Sequence, residues 1–359
     1  MRDTLESHDR FAASGRRVAL ATVVRAQGSA PRPVGATMVV AGDGEMAGSV
    51  SGGCVENDVV LHALDVLDAG EIRLVTYGIA DDDAFAVGLA CGGTIQVLVR
   101  PAPGPEIRSA AAGLVAAERP GAVVTVASGP GAGAVAVLDA SGGTLAGRLP
   151  DEVAADVAAD VPALVDTERS RLLGYGDREV LIESIVPEPH LVVFGAVHIA
   201  QPLCAMARIA GFRVTVTDPR PAFATPDRFP EASRVLPGQP ADVVAGLDLD
   251  RRTYAVVLNH DARHEDPVLV ALLRSEARYI GAMGSRRTHA LRLDRMREAG
   301  FGEADLERIH GPIGLDIGAV TPAEIAVAIL AEMIRARRGF GSGVSLRGTT
   351  GPIHPERSP

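Results

Sequence analysis

Beyond residue 187 the chain alternates short, apolar, β-branched runs at 190–194, 213–217, 253–258 and 278–282 with helical stretches at about 199–210, 266–276, 287–298 and 322–337. Strands separated by helices of that length cannot return as hairpins. Each return is a crossover, so the strands run parallel and helices cover both faces. This pattern predicts a Rossmann-like parallel-sheet domain over 188–339, introduced by the linker Pro187-Glu188-Pro189.

The first half has a different rhythm and predicts a mixed α/β domain over 1–187. Strands are expected at 18–24, 37–41, 72–77 and 94–99, with a hairpin turn at Asp43-Gly44 and a Gly/Pro loop at 28–35. Apolar residues at helical spacing predict a helix over 55–67, stopped at Gly70. A Pro/Gly stretch at 101–105 marks an internal boundary, and 107–186 reads as a helix, several strands and a short helix near 152–157. No repeat is evident, and the Gly/Ser/Pro-rich 340–359 reads as a flexible tail.

Composition removes several kinds of chemistry. All 35 basic residues are arginine, which excludes a Schiff-base lysine, a pyridoxal-phosphate enzyme and a Walker-A phosphate lysine. A net charge of −10 opposes nonspecific nucleic-acid binding. No apolar run approaches the ~20 residues that span a bilayer, and 1–12 lacks an apolar signal core, so a cytoplasmic protein is expected.

Chemistry-bearing residues gather on glycine-rich loops. Leu191-Val192-Val193-Phe194-Gly195-Ala196-Val197-His198 has the layout of a dinucleotide-binding turn, with Asp218 ending the next strand. Val197 and Ala200 stand where the second and third fingerprint glycines belong, which obstructs a pyrophosphate. His198 reads equally as a helix-start residue or a reactive one, and His260-Asp261 follows another strand. Gly284-Ser285-Arg286-Arg287 opens a helix and reads as a phosphate cradle or as a capped helix with solvated arginines. In the first half, Gly52-Gly53-Cys54 places a thiol at a helix start, which favours the thiolate, while Glu56 opposes it. Cys91 precedes Gly92-Gly93. Both thiols read either as ligand-facing or as small buried hydrophobes, whereas Cys204 sits mid-helix among apolar neighbours as a core residue.

Two long signatures carry a resemblance. Gly28-Ser29-Ala30-Pro31-Arg32-Pro33-Val34-Gly35-Ala36-Thr37-Met38 and Gly48-Ser49-Val50-Ser51-Gly52-Gly53-Cys54-Val55-Glu56, with Cys91-Gly92-Gly93, resemble the XdhC/CoxI family. So do Asp218-Pro219-Arg220, Gly284-Ser285-Arg286-Arg287, and Pro312-Ile313-Gly314-Leu315-Asp316-Ile317-Gly318. The resemblance implies a maturation factor, rather than an enzyme, that binds molybdenum cofactor as molybdopterin or its cytosine dinucleotide. It would protect the cofactor during sulfuration and insert it into a xanthine- or carbon monoxide dehydrogenase-type hydroxylase. Implied partners are the hydroxylase large subunit, a cysteine desulfurase and a molybdopterin nucleotidyltransferase; a homodimer is compatible with it. Cys54 and Cys91 are then the candidate molybdenum ligands, with Gly52, Gly53, Glu56, Gly195, His198, Asp218, His260, Asp261, Gly284, Ser285, Arg286 and Arg287 lining the cofactor site. The rival readings are an NAD(P)-dependent oxidoreductase and a non-catalytic docking scaffold. The family loop has glycine where this chain has Val197, which sets the NAD(P) reading back.

Overall fold

The computed structural model describes residues 2–28, 30, 32–78, 93–259 and 261–349. The chain folds as two compact units, Met1–Pro187 and Glu188–Thr349. Among the described residues no helix is long and apolar enough to cross a membrane.

The first unit runs α1 (Arg2–Ala13), β1 (Val18–Gln27), β2 (Thr37–Ala41), β3 (Met46–Gly48), α2 (Glu56–Ala69), β4 (Arg73–Tyr77), β5 (Thr94–Pro101). It continues α3 (Pro105–Ala116), β6 (Gly121–Ser128), β7 (Val135–Asp139), β8 (Thr144–Gly147), α4 (Asp151–Asp166), β9 (Arg171–Tyr175), β10 (Arg178–Ile185). The strands form two five-stranded antiparallel sheets, ordered β3-β2-β1-β5-β4 and β8-β7-β6-β10-β9. Element order and strand order are the same in both. The unit is therefore an internal duplication, which corrects the reading that no repeat is present. Alternation and turn chemistry are all that such strands demand, and many different residues satisfy both. The paired helices do the same work: α2 buries Val59, Ala63 and Val66, and α4 buries Val153, Val157, Val161 and Leu164. Each such valine or leucine contributes roughly 1.5–3 kcal/mol on burial.

The seam between the two sheets packs Val24 and Leu98 against Ala127 and Leu181. Arg100 and Glu183 face each other there at 3.7 Å, each only 2% exposed. No nitrogen of that guanidinium and no oxygen of that carboxylate makes a hydrogen bond. Burial pulls the arginine pKa down and Glu183 pulls it back up.

The second unit runs β11 (His190–Phe194), α5 (Ala200–Ile209), β12 (Arg213–Asp218), β13 (Arg234–Pro237), α6 (Pro240–Ala245), β14 (Thr253–Val257), α7 (Ala262–Leu273), β15 (Tyr279–Ala282), α8 (Arg286–Glu298), α9 (Glu303–Leu306), β16 (Ile309–His310), α10 (Pro322–Arg338). Its sheet is parallel throughout, ordered β13-β12-β11-β14-β15-β16, the doubly wound order of a Rossmann domain. Along β11, Leu191 and Val193 join α5 and α10 in one core, while Val192 and Phe194 join α7 and α8 in the other. Burial on both faces explains the unbroken apolar runs in the sequence. The 340–349 stretch carries one short 3-10 turn, Leu346–Gly348, and residues 350–359 lie outside the described residues.

Candidate functional site

The duplication isolates what the first half has beyond its architecture. Gln27 pairs with Thr94, Tyr77 with Ile95 and Met38 with Gly48. These strand ends therefore share one end of the first sheet. Three connections leave from it, at 28–36, 49–55 and 78–93, and they carry the N-terminal signature residues. The equivalent connections of the second sheet, 129–134, 148–150 and 176–177, are all shorter. Cys91 belongs to the third connection and lies outside the described residues.

The 49–55 loop is organised by Glu56. Its Oε1 accepts from Ser49 Oγ at 2.6 Å and from the N–H groups of Val50 and Ser51 at 3.2 and 2.9 Å. Its Oε2 accepts from Ser51 Oγ at 2.5 Å and from the N–H groups of Gly53 and Val55 at 2.8 and 3.2 Å. Ser51 Oγ in turn accepts from the N–H groups of Cys54 and Val55, and Ser49 Oγ from that of Gly52. Every backbone N–H from Val50 to Val55 is thus engaged by three side chains. Gly52 and Gly53, at φ +78° and +116°, let the chain curl around the carboxylate, a conformation that side chains with a Cβ resist. Burial raises the Glu56 pKa, and the hydrogen bonds outweigh it, bringing the carboxyl down to about 2.

Cys54 rides this loop with its side chain exposed. The N–H groups expected to stabilise its thiolate are already taken, because the loop folds them onto Glu56 and Ser51. Glu56, expected to line the cofactor site, has both oxygens turned into its own loop and so acts by shaping it. Beneath the loop, Tyr77 donates to Asp58 Oδ2 at 2.8 Å, and His62 Nε2 lies 3.4 Å from the same oxygen, joining β4 to α2. Burial and Asp58 both push the Tyr77 pKa up. Cys204, by contrast, is fully buried, and burial pushes its thiol up to about 12.

In the second unit, Gly195 (φ +117°) lies so close to Asn259 that a Cβ would stand 2.8 Å from its Oδ1. Val197 is half-buried and His198 exposed. Asp218, the residue placed to hold a ribose, has no exposed surface. Its Oδ2 accepts from the Ala196 N–H and Arg220 Nη2, both at 2.9 Å, and its Oδ1 from Arg220 N and Nε at 2.9 and 2.8 Å. Burial raises its pKa, but the bonds from Arg220 prevail and lower it. A ribose hydroxyl would have to displace Arg220, which also lies 3.8 Å over the Phe223 ring.

Asp261 caps α7, accepting from the Arg263 N–H at 3.0 Å, and the Arg263 side chain bonds bring its pKa to about 2. His260 lies outside the described residues. Ser285 caps α8 through a bond from the Thr288 N–H at 3.1 Å, next to Gly284 at φ +149°; Arg286 and Arg287 are exposed. The structure thus brings Gly195, His198, Asp218, Asp261 and Gly284 to Arg287 onto loops at the carboxyl edge of the parallel sheet, while Cys54 and Glu56 belong to the other unit.

Two supports were not foreseen. Glu332 accepts from Tyr279 Oη at 2.6 Å and the Gly314 N–H at 2.9 Å, with His310 Nδ1 at 3.7 Å. Burial raises its pKa; His310, Tyr279 and Gly314 bring it down to about 2. Arg292, fully buried, reaches Glu265 Oε1 at 2.5 Å and the Met283 carbonyl at 2.6 Å, holding the chain just before Gly284. The signal for Glu332 was a lone charge on the apolar stripe of α10, whereas Arg292 lies among other charges on α8 and nothing in the spacing marked it. Among the described residues no group of three or more His, Cys, Asp or Glu is arranged to hold a metal.

Residues 11–78 match the XdhC and CoxI family, and residues 191–333 match the XdhC Rossmann domain. The chain is 30% identical over 323 residues to a Bacillus subtilis protein named as a probable xanthine dehydrogenase subunit, covering 89% of this chain and 93% of that one. It is 29% identical to the molybdenum cofactor insertion chaperone PaoD of Escherichia coli, covering 90% and 85%. A crystal structure described as a xanthine dehydrogenase from Bacillus halodurans superposes with a TM-score of 0.72 at 26% identity, covering 96% of this chain and 98% of that one.

Proposed function

Because the chain belongs to the XdhC and CoxI family, we propose that it is a maturation chaperone that binds molybdenum cofactor and inserts it into a molybdenum hydroxylase of the xanthine or carbon monoxide dehydrogenase type. The observation that carries this reading is the Cys54 loop. A closed shell of hydrogen bonds to Glu56, Ser49 and Ser51 spends every local N–H on presenting one exposed thiol. A thiolate is a soft ligand suited to molybdenum, and a rigid loop holds it out at little entropic cost. Cys91, in the 78–93 connection, is its proposed companion, and Gly52 and Gly53 keep the approach free of side chains.

Gly284 to Arg287 remain the proposed contact for an anionic group, since Arg286 and Arg287 are exposed at the start of α8. The cargo is molybdopterin or its cytosine dinucleotide, and sulfuration and delivery bring in a cysteine desulfurase, a nucleotidyltransferase and the hydroxylase large subunit. A nicotinamide dinucleotide is disfavoured: Val197 crowds the turn and Asp218 is saturated by Arg220. The test is Cys54→Ser, purified anaerobically with molybdenum and pterin measured in the bound fraction. The variant should fold normally, retain far less cofactor and fail to activate apo-hydroxylase. Full retention and delivery would make the thiol a packing group.

A further inference from the structure

The opposite end of the first sheet carries a cleft that the cofactor reading does not use. Its volume is about 340 Å3, and it is bounded by α1, the start of β1, the end of β5, the end of α2 and the approach to α3. His8, Arg16, Arg17 and Arg108 line it, Pro101 and Pro103 add an apolar wall, and among the described residues no carboxylate lines it. In a chain of net charge −10, a wall whose acidic partners all stand outside it turns guanidinium donors toward an incoming anion.

The arginines do have carboxylate partners, but these stand outside the wall. Arg16 reaches Asp43 at 3.0 Å and Glu45 at 2.5 Å, Arg17 reaches Asp68 at 2.7 Å, and Arg108 stands 3.8 Å from Asp9. All four acids are more than half exposed. Solvated pairs of this kind hold weakly, so an incoming dianion with several acceptor oxygens can replace them. A further feature points into the same space: His8 is 4% exposed, lines the cleft, and has Asp9 at 4.0 Å as its acid neighbour.

We propose that this cleft binds a small organic phosphate, with the phosphate on Arg17 and Arg108 and the organic body against the proline wall. The volume exceeds what a bare phosphate fills and lies within the ~300–1,000 Å3 of small-molecule sites. The proposal stands apart from the Cys54 reading, since the two sites occupy opposite ends of the sheet.

The test uses the full chain and calorimetric titration at low ionic strength with AMP, adenosine and inorganic phosphate as probes. AMP should bind saturably, inorganic phosphate about tenfold more weakly, and adenosine not at all. Arg17→Ala and Arg108→Ala should each weaken AMP binding by about tenfold. Asp68→Asn, which removes an exposed acid and leaves Arg17 held by the Leu67 carbonyl alone, should tighten it about threefold, an effect that damage to the fold cannot mimic. Cys54→Ser should leave it unchanged. Failure of both AMP and inorganic phosphate to bind at millimolar concentration overturns the proposal, as does AMP binding that survives Arg17→Ala/Arg108→Ala. Inorganic phosphate binding as tightly as AMP overturns the organic-phosphate assignment.

Discussion

Replacing Glu56 by glutamine tests whether a carboxylate builds the thiol-bearing loop. The carboxyl falls from an ordinary 4.5 to about 2 in the folded protein, at about 1.4 kcal/mol per unit, so its ionised form contributes about 3 kcal/mol. The loop lies at the surface, and solvent screening moves this toward about 2 kcal/mol. The amide keeps one acceptor oxygen but turns an NH2 group toward three donors, Ser51 Oγ and the N–H groups of Gly53 and Val55. The folded pKa is depressed, so the stabilisation is full above about pH 4.5, declines as the pH falls and is gone below about pH 2. Urea denaturation at pH values from 3 to 8 should show the wild type losing stability below pH 4.5 more steeply than Glu56→Gln, with the variant lower by about 2–3 kcal/mol at pH 7. Alkylation of Cys54 at pH 7 should change rate in the same variant, because the thiol is no longer held in one place. Superimposable pH profiles for the two proteins would refute the carboxylate's role.

Two further outcomes follow from buried groups. Glu183→Leu should cost about 3–5 kcal/mol by leaving Arg100 buried and unpaired, and adding Arg100→Met should recover most of it; a silent single variant in urea denaturation would contradict the pairing. Cys204→Ser should cost about 1–3 kcal/mol for burying a hydroxyl in an apolar cluster, and in the wild type Cys54 should alkylate long before Cys204, whose thiol burial pushes up to about 12; equal labelling rates would count against both placements.

The parallel sheet was legible because β11, β14 and β15 are buried on both faces and read as near-continuous apolar runs, with β12 adding β-branched Val and Thr. Its edges were not. β13 is an exposed Arg-Val-Leu-Pro run and β16 only two residues, too short for any periodicity. Asp43-Gly44 was readable as a hairpin because Gly44 needs φ +86°. The duplication was hidden because its two halves share geometry without sharing residues. Within the candidate site, the identities of Cys54, Glu56 and Asp218 were plain, but their partners were not. Whether a carboxylate faces a ligand, its own loop or Arg220 depends on backbone curvature that spacing along the chain does not encode.

The Arg100–Glu183 seam has a consequence for how the chain leaves the ribosome. Arg100 completes the first sheet, while Glu183 belongs to the last strand of the second. At ordinary elongation rates the two are separated by on the order of ten seconds. In that interval the nascent first sheet presents Val24 and Leu98 to water with a solvated cation set among them. Like charges on neighbouring nascent chains repel, and a guanidinium strips its water only for a carboxylate that meets it at the right place. The same charge that adds little to the finished fold therefore guards an unfinished one, and the arrival of Glu183 decides when that face closes.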